Sequence, residues 1–189
     1  MLESAARGFS RYGYGHIRLE DVAREAGYTR GALYHQFKDK VDLASAVIES
    51  VEGEFRREVD PRVAEQADPV SALIALARGH AVFCRRDVAR VVMALRVEFS
   101  GQDHPVARQI ERVEEAGVKR VARLISAGRR DGSIPPGPPA RTVARGYWGA
   151  LEGTVIVVAG QAPHDEELAV RAVAGVLGLE PPSSSRYSR

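Results

Sequence analysis

The stretch 19–40, LEDVAREAGYTRGALYHQFKDK, constrains this chain more than any other. Leu19, Val22, Ala23 and Ala26 fall on one side of a first short helix, and Ala32, Leu33 and Phe37 fall on one side of a second. Between them stand Gly27, Tyr28 and Thr29. Gly27 can adopt the left-handed backbone that ends a helix, and the Thr29 hydroxyl can cap the helix that follows. Two short helices joined by a tight glycine turn predict a helix-turn-helix, whose second helix lies in the major groove of DNA.

The rest of the chain reads as helices around this unit. Leu2, Ala5, Ala6, Phe9 and Tyr12 repeat at helical steps until Gly13 and Gly15 interrupt them, which gives a supporting first helix and a three-helix module. Asp39, with Asp42 three residues on, is the expected cap of a fourth helix, and Asp60-Pro61 is expected to kink or end it. Asp68-Pro69 predicts the start of a fifth helix, and Asp87 is expected to cap a sixth. Asp103-His104-Pro105 opens a long amphipathic helix, which closes at the loop DGSIPPGPP. Residues 140–160 are apolar around most of a helix, yet include Gly146, Gly149 and Gly153. Each such glycine costs about 1 kcal/mol against alanine, so another helix or a ligand is expected to approach closely there. A last helix carries Leu168, Ala169, Ala172, Val173, Val176 and Leu177. The expected architecture is all-α, with about nine helices. It comprises a helix-turn-helix domain over 1–45, a helical ligand-binding and dimerisation domain over 46–180, and a disordered tail over 181–189.

Bulk charge alone points weakly to nucleic acid, because the formal net charge is only +2. The first forty residues hold seven basic against five acidic side chains, so the whole formal excess sits in those forty residues. A single cysteine, Cys84, permits no intrachain disulfide and no cysteine metal cluster, which suits a reducing, cytoplasmic setting. No signal peptide is expected, because Glu3, Arg7 and Arg11 interrupt any apolar run at the start, and no unbroken apolar run, 72–77 and 155–159 included, is long enough to span a membrane. His80 and His104 lack partner histidines at ligand spacing, so no metal site is expected. There is no nucleophile elbow, phosphate loop or His/Glu zinc motif, so neither catalysis nor a cofactor is expected.

Taken together, LEDVAREAG-YTRGALYHQFKDKVDL resembles the TetR family of bacterial one-component regulators, through D-V-A-x-x-A-G, G-A-L-Y, F-K-x-K and D-L. Further on, LISAGRRDGSI and YWGALEGTV are similar in pattern to the seventh and eighth helices of many members. The resemblance implies an all-helical homodimer that represses transcription from palindromic operators and leaves them when a small molecule enters the C-terminal domain. Many relatives carry a basic arm before the first helix. Here the sequence opens on Met1-Leu2-Glu3, so either such an arm is absent or the true start lies upstream, and phosphate binding is expected to be weaker than in a form with the arm.

The candidate DNA-binding residues follow from position and type. Thr29 serves as a helix cap alone, or as a cap and a phosphate contact. Arg30, in the first turn of the recognition helix, can read guanine O6 and N7 with two hydrogen bonds, or is a solvated surface arginine. Gly31 and Ala32 are small enough for close approach to base edges. Tyr34 points opposite Leu33 and Phe37, and the resemblance places a phosphate contact there. His35 is set to reach base or backbone, or is a plain surface histidine. Arg18 and Lys38 are further candidates, and Lys40 corresponds by resemblance to the family's phosphate-binding lysine. For a ligand, helix position nominates Phe83, Met93, Arg96, Val97, Trp148, Leu151 and Glu152, with Glu152 paired to Arg96 or reaching solvent. Dimerisation is expected through the last two helices. The partners expected are therefore duplex DNA, an unidentified effector and a second copy. The alternative reading keeps the DNA-binding head and makes the C-terminal helices a scaffold or protein-docking surface with no effector.

Overall fold

The computed structural model describes residues 1–180. The tail expected over 181–189 lies outside the described residues. Nine α-helices run in order: α1 Leu2–His16, α2 Leu19–Glu25, α3 Arg30–Gln36, α4 Lys40–Ala64, α5 Pro69–Phe83, α6 Val91–Glu98, α7 Pro105–Asp131, α8 Ala140–Val158 and α9 His164–Leu177. A 3-10 turn, Asp87–Arg90, precedes α6, and no strand occurs among the described residues. The all-α expectation holds.

The chain divides into two compact units, Met1–Arg57 with Cys84–Glu115, and Glu58–Phe83 with the chain from Ala116 onward. These units differ from a linear cut at residue 45, because α4 and α7 each contribute to both. In the first unit Ala5, Phe9, Val22, Leu33, Leu43, Val47, Ile48, Val91, Leu95 and Ile110 are buried. Each such aliphatic or aromatic side chain contributes roughly 1.5–3 kcal/mol when fully removed from water. In the second unit Leu73, Leu76, Val121, Ile125, Leu151, Val155 and Val173 are buried around Tyr147. The Tyr147 hydroxyl donates to the Leu73 carbonyl at 2.6 Å. Burial pushes this phenol well above its ordinary pKa, so it stays a donor.

Local signals in the sequence are met with particular atoms. Asp39 Oδ1 accepts from the Asp42 amide at 2.8 Å and caps α4, while Asp42 Oδ2 accepts from the amide of Lys38, one residue before the cap, at 3.1 Å, so the box is partial. Asp68 Oδ1 accepts from the Ser71 amide at 2.8 Å and starts α5. Of the two outcomes expected at Asp60-Pro61, ending is overturned: α4 passes through Pro61 to Ala64. Two further expectations are corrected. Asp87 opens the 3-10 turn and pairs with Arg90, so α6 begins only at Val91. Tyr12 lies off the buried face of α1 and is 55% exposed.

Candidate nucleic-acid interface

Helices α1 to α3 form the head. Gly27 takes φ +74°, and the Tyr28 amide bonds back to the Ala23 carbonyl at 2.8 Å, which ends α2 and turns the chain. Thr29 Oγ1 accepts from the Ala32 amide at 3.1 Å and caps α3. Leu33 and Phe37 anchor α3 in the core of the unit, so its opposite side is presented outward. On that side Thr29, Arg30, Gly31, Ala32, Tyr34, His35 and Lys38 are all exposed, as is Arg18 at the entry to α2. The structure thus brings eight of the nine candidate DNA-binding residues onto exposed positions of the head.

Lys40 is the ninth and is half-buried. Its ammonium donates to the Tyr14 carbonyl at 2.9 Å and to the Gly15 carbonyl at 3.5 Å, and it sits 5.2 Å from the Tyr14 ring centre. An ammonium carries three N–H donors, so one remains for a phosphate after these two carbonyls are served.

Two carboxylates absent from the sequence-derived set prove central to the geometry. Glu20 Oε1 lies 3.4 Å from Arg30 Nε and accepts from the Tyr34 hydroxyl at 3.3 Å. The Arg30 guanidinium also lies over the Tyr34 ring at 5.4 Å. Arg30 and Tyr34 are thereby parked side by side on the free protein. The Arg30 side chain is 72% exposed, and an exposed pair of this kind contributes under about 1 kcal/mol, so base or phosphate acceptors can replace Glu20. The second carboxylate, Glu98, accepts backbone amides of α1 from the end of α6. Glu20 stands ten residues before Arg30 and Glu98 stands 84 after Tyr14, so no periodicity in the sequence connects either to its partners.

The ligand-site candidates divide between the units. Met93 and Arg96 are half-buried and Val97 is 74% exposed in the first. There Arg96 Nη1 donates to Glu114 Oε1 at 3.0 Å. Phe83 and Leu151 are buried, and Trp148 and Glu152 half-buried, in the second. The Trp148 ring meets His80 edge-on at 5.5 Å and covers Gly117, where an added Cβ would lie 3.1 Å from the indole. Burial lowers the His80 pKa to about 4, so the imidazole is neutral near pH 7. Among the described residues no group of three or more His, Cys, Asp or Glu side chains could hold a metal ion, and no helix is long and apolar enough to cross a membrane.

An all-helical chain whose third helix is capped, anchored on one side and open on the other belongs to the class of helix-turn-helix DNA-binding regulators. Residues 1–47 match the family described as bacterial regulatory proteins, tetR family. That match covers the head alone, about a quarter of the chain. The chain is 26% identical over 161 residues to the uncharacterized HTH-type transcriptional regulator YfiR of Bacillus subtilis, covering 82% of this chain and 76% of that one. It is 39% identical over 74 residues to the HTH-type transcriptional regulator AcrR of Shigella flexneri, where the match spans 39% of this chain and 34% of that protein. Among solved structures, FadR of Bacillus subtilis in complex with stearoyl-CoA superposes with a TM-score of 0.79 at 17% identity, covering 93% of this chain and 95% of that one. AibR in complex with isovaleryl coenzyme A and operator DNA gives a TM-score of 0.73 at 21% identity, covering 95% and 97%. At these identities the structural likeness is one of fold. The relatives are transcriptional regulators rather than enzymes.

Proposed function

We propose that the protein is a homodimeric transcriptional repressor that occupies a palindromic operator and leaves it when a small molecule binds the C-terminal helices. The observation that carries the DNA-binding part is the outward side of α3, with Arg30, Gly31, Tyr34 and His35 exposed opposite buried Leu33 and Phe37. Arg30 reads base edges in this account, and Arg18, Thr29, Tyr34, Lys38 and the third N–H of Lys40 bond phosphates. Ala32 and Gly31 permit the approach. Two such helices would lie about 34–36 Å apart in successive major grooves.

Pairing through α8 and α9 is supported by their surfaces. Ile156, Val157, Leu168 and Val176 are exposed apolar residues on these two helices. At Gly149 and Gly153 an added Cβ would meet nothing within 4 Å, so packing within the chain does not explain two glycines that weaken α8. Close approach of the same face from a second copy does, in a twofold arrangement.

An effector is favoured over a bare scaffold by the indole Nε1 of Trp148, which is buried and has no hydrogen-bond partner. Leaving such a donor unmet costs about 1–3 kcal/mol, which an acceptor on a bound molecule would recover. FadR and AibR were solved with acyl-coenzyme A thioesters, which makes that class the first to test. The experiment selects duplexes from a random-sequence library with the purified chain, then titrates the bound duplex with acyl-coenzyme A thioesters of graded length. Selection of a palindrome and its release by one chain length support the whole reading. Failure to select any duplex removes it.

A further inference from the structure

We propose that Glu98 is a positioning residue for DNA binding, acting with Lys40 to fix the break at residues 13–15 from which α2 and α3 are hung. This role rests on the DNA-binding reading above. At Gly13 the backbone leaves the helical region, with φ +74° and ψ 167°, before a last turn ends at His16. The break frees backbone groups that the helix would otherwise satisfy, and two charged side chains take them. Glu98 Oε2 accepts from the Tyr14 amide at 2.6 Å, and Glu98 Oε1 accepts from the Gly15 amide at 2.8 Å. On the other side Lys40 Nζ donates to the carbonyls of Tyr14 and Gly15.

The Tyr14 carbonyl and the Gly15 amide belong to one peptide group. That group therefore stands between a carboxylate on its N–H side and an ammonium on its C=O side. Each bond polarises the peptide in the sense that strengthens the other. Bonds of a backbone group to an ionised partner are also the stronger kind. Gly13 is required twice over, since its φ is left-handed and an added Cβ would lie 3.0 Å from Glu98 Oε2.

The surroundings hold the clasp in place. The Tyr14 ring stacks on Phe9 at 5.9 Å and meets Phe99 and His104 edge-on at 4.9 and 5.4 Å. Phe99 directly follows Glu98, so one corner of the chain supplies both the carboxylate and an aromatic wall. Burial, with the charges of Asp39 and Glu98 behind it, raises the Tyr14 phenol pKa and keeps that ring neutral. Downstream of the break only His16, Ile17, which packs on Gly8, and Arg18 separate it from α2. Any rotation at Gly13 would carry the entry of α2, and hence α3, with it. The bonds of the Glu98 carboxylate run to α1, so its effect on DNA is one of placement.

The test compares the wild-type chain with Glu98→Ala and Glu98→Gln on the library-selected duplex and on a scrambled duplex of equal length. A placement role predicts that Glu98→Ala lowers affinity for the selected duplex by roughly tenfold or more, while scrambled-duplex affinity and the salt slope stay at wild-type values. Glu98→Gln, whose one carbonyl oxygen can retain one amide, should fall between. A folded Glu98→Ala chain with the wild-type ratio of the two affinities overturns the proposal alone. A wild-type chain that selects no duplex overturns the DNA-binding reading and this role with it. Should neither variant fold, hydrogen exchange of the wild-type chain decides: slow exchange of the Tyr14 and Gly15 amides supports the clasp, and exchange at open-loop rates overturns it.

Discussion

Gly31→Ala separates the stability of the head from its fit to DNA, because the two should move in opposite directions. Gly31 lies in the first turn of α3, and an added Cβ would meet only Thr29 Oγ1 at 3.9 Å, ordinary contact. The substitution therefore strains nothing within the chain. Replacing a helical glycine by alanine gains about 0.5–1 kcal/mol, chiefly by reducing the freedom of the unfolded chain. For a chain of 189 residues that raises the thermal midpoint by roughly 1–4 °C. On the bound side the new methyl would point where base edges are expected to lie, and one misfitted position costs about 1–3 kcal/mol, or roughly 5- to 150-fold in affinity. Scanning calorimetry and fluorescence anisotropy on the selected duplex read the two effects separately. A variant that melts higher and binds as tightly as wild type would refute the placement of Gly31 against DNA.

Arg30→Ala should erase discrimination at one base position of each half-site while leaving scrambled-duplex binding nearly intact, and Lys40→Ala should reduce the salt slope of the dimer by about two, one per subunit, if its third N–H reaches a phosphate. The His80 pKa, ordinarily 6.5, is lowered to about 4 in the fold, so between those values the unfolded chain binds more protons. His80 stability is thus present above pH 6.5 and lost as pH falls toward 4, by at most about 3 kcal/mol since the residue is half-buried, and a His80→Phe chain should show a flatter melting profile over that window. Gly153→Arg adds a side chain where the single chain offers open space, so the fold should persist while sedimentation shows monomers; a dimer that survives would move the interface elsewhere.

What was legible in the sequence was local. The turn at Gly27, the Thr29 cap, the Asp39–Asp42 box and the Asp68 cap are each written within four residues, and each is met by the expected atom. The outward side of α3 followed from Leu33 and Phe37 alone. Errors arose where tertiary packing outweighed a local signal. Pro61 is carried inside α4 between the buried residues Val59 and Val63 of the same helix. The residues that organise the head across distance were illegible: Glu98 is an unremarked acid on a short helix until the chain folds it onto Tyr14. Lys40 was read as a phosphate ligand from its place in a motif, and nothing local disclosed the two carbonyls it serves.

The charge balance of the head leads to a last expectation, the salt dependence of binding. Arg7 is bonded to Glu3 and Glu25, Arg24 to Asp21, and Arg11 lies over the Tyr12 ring, so these three basic residues are left out of the phosphate count. Arg30 is assigned to base edges. That leaves Arg18, Lys38 and Lys40 for phosphates, about three per head and six per dimer, for a slope of log affinity against log salt near −5. Such a head draws modest affinity from the DNA backbone, and Glu20 beside Arg30 lowers it further for any duplex that offers no acceptor in exchange. Operator choice must then depend on how accurately α3 is placed, which is the burden the Glu98 clasp carries. A slope near −10 on the selected duplex would mean that paired arginines re-open to phosphates, and would shift the weight of recognition from placement to charge.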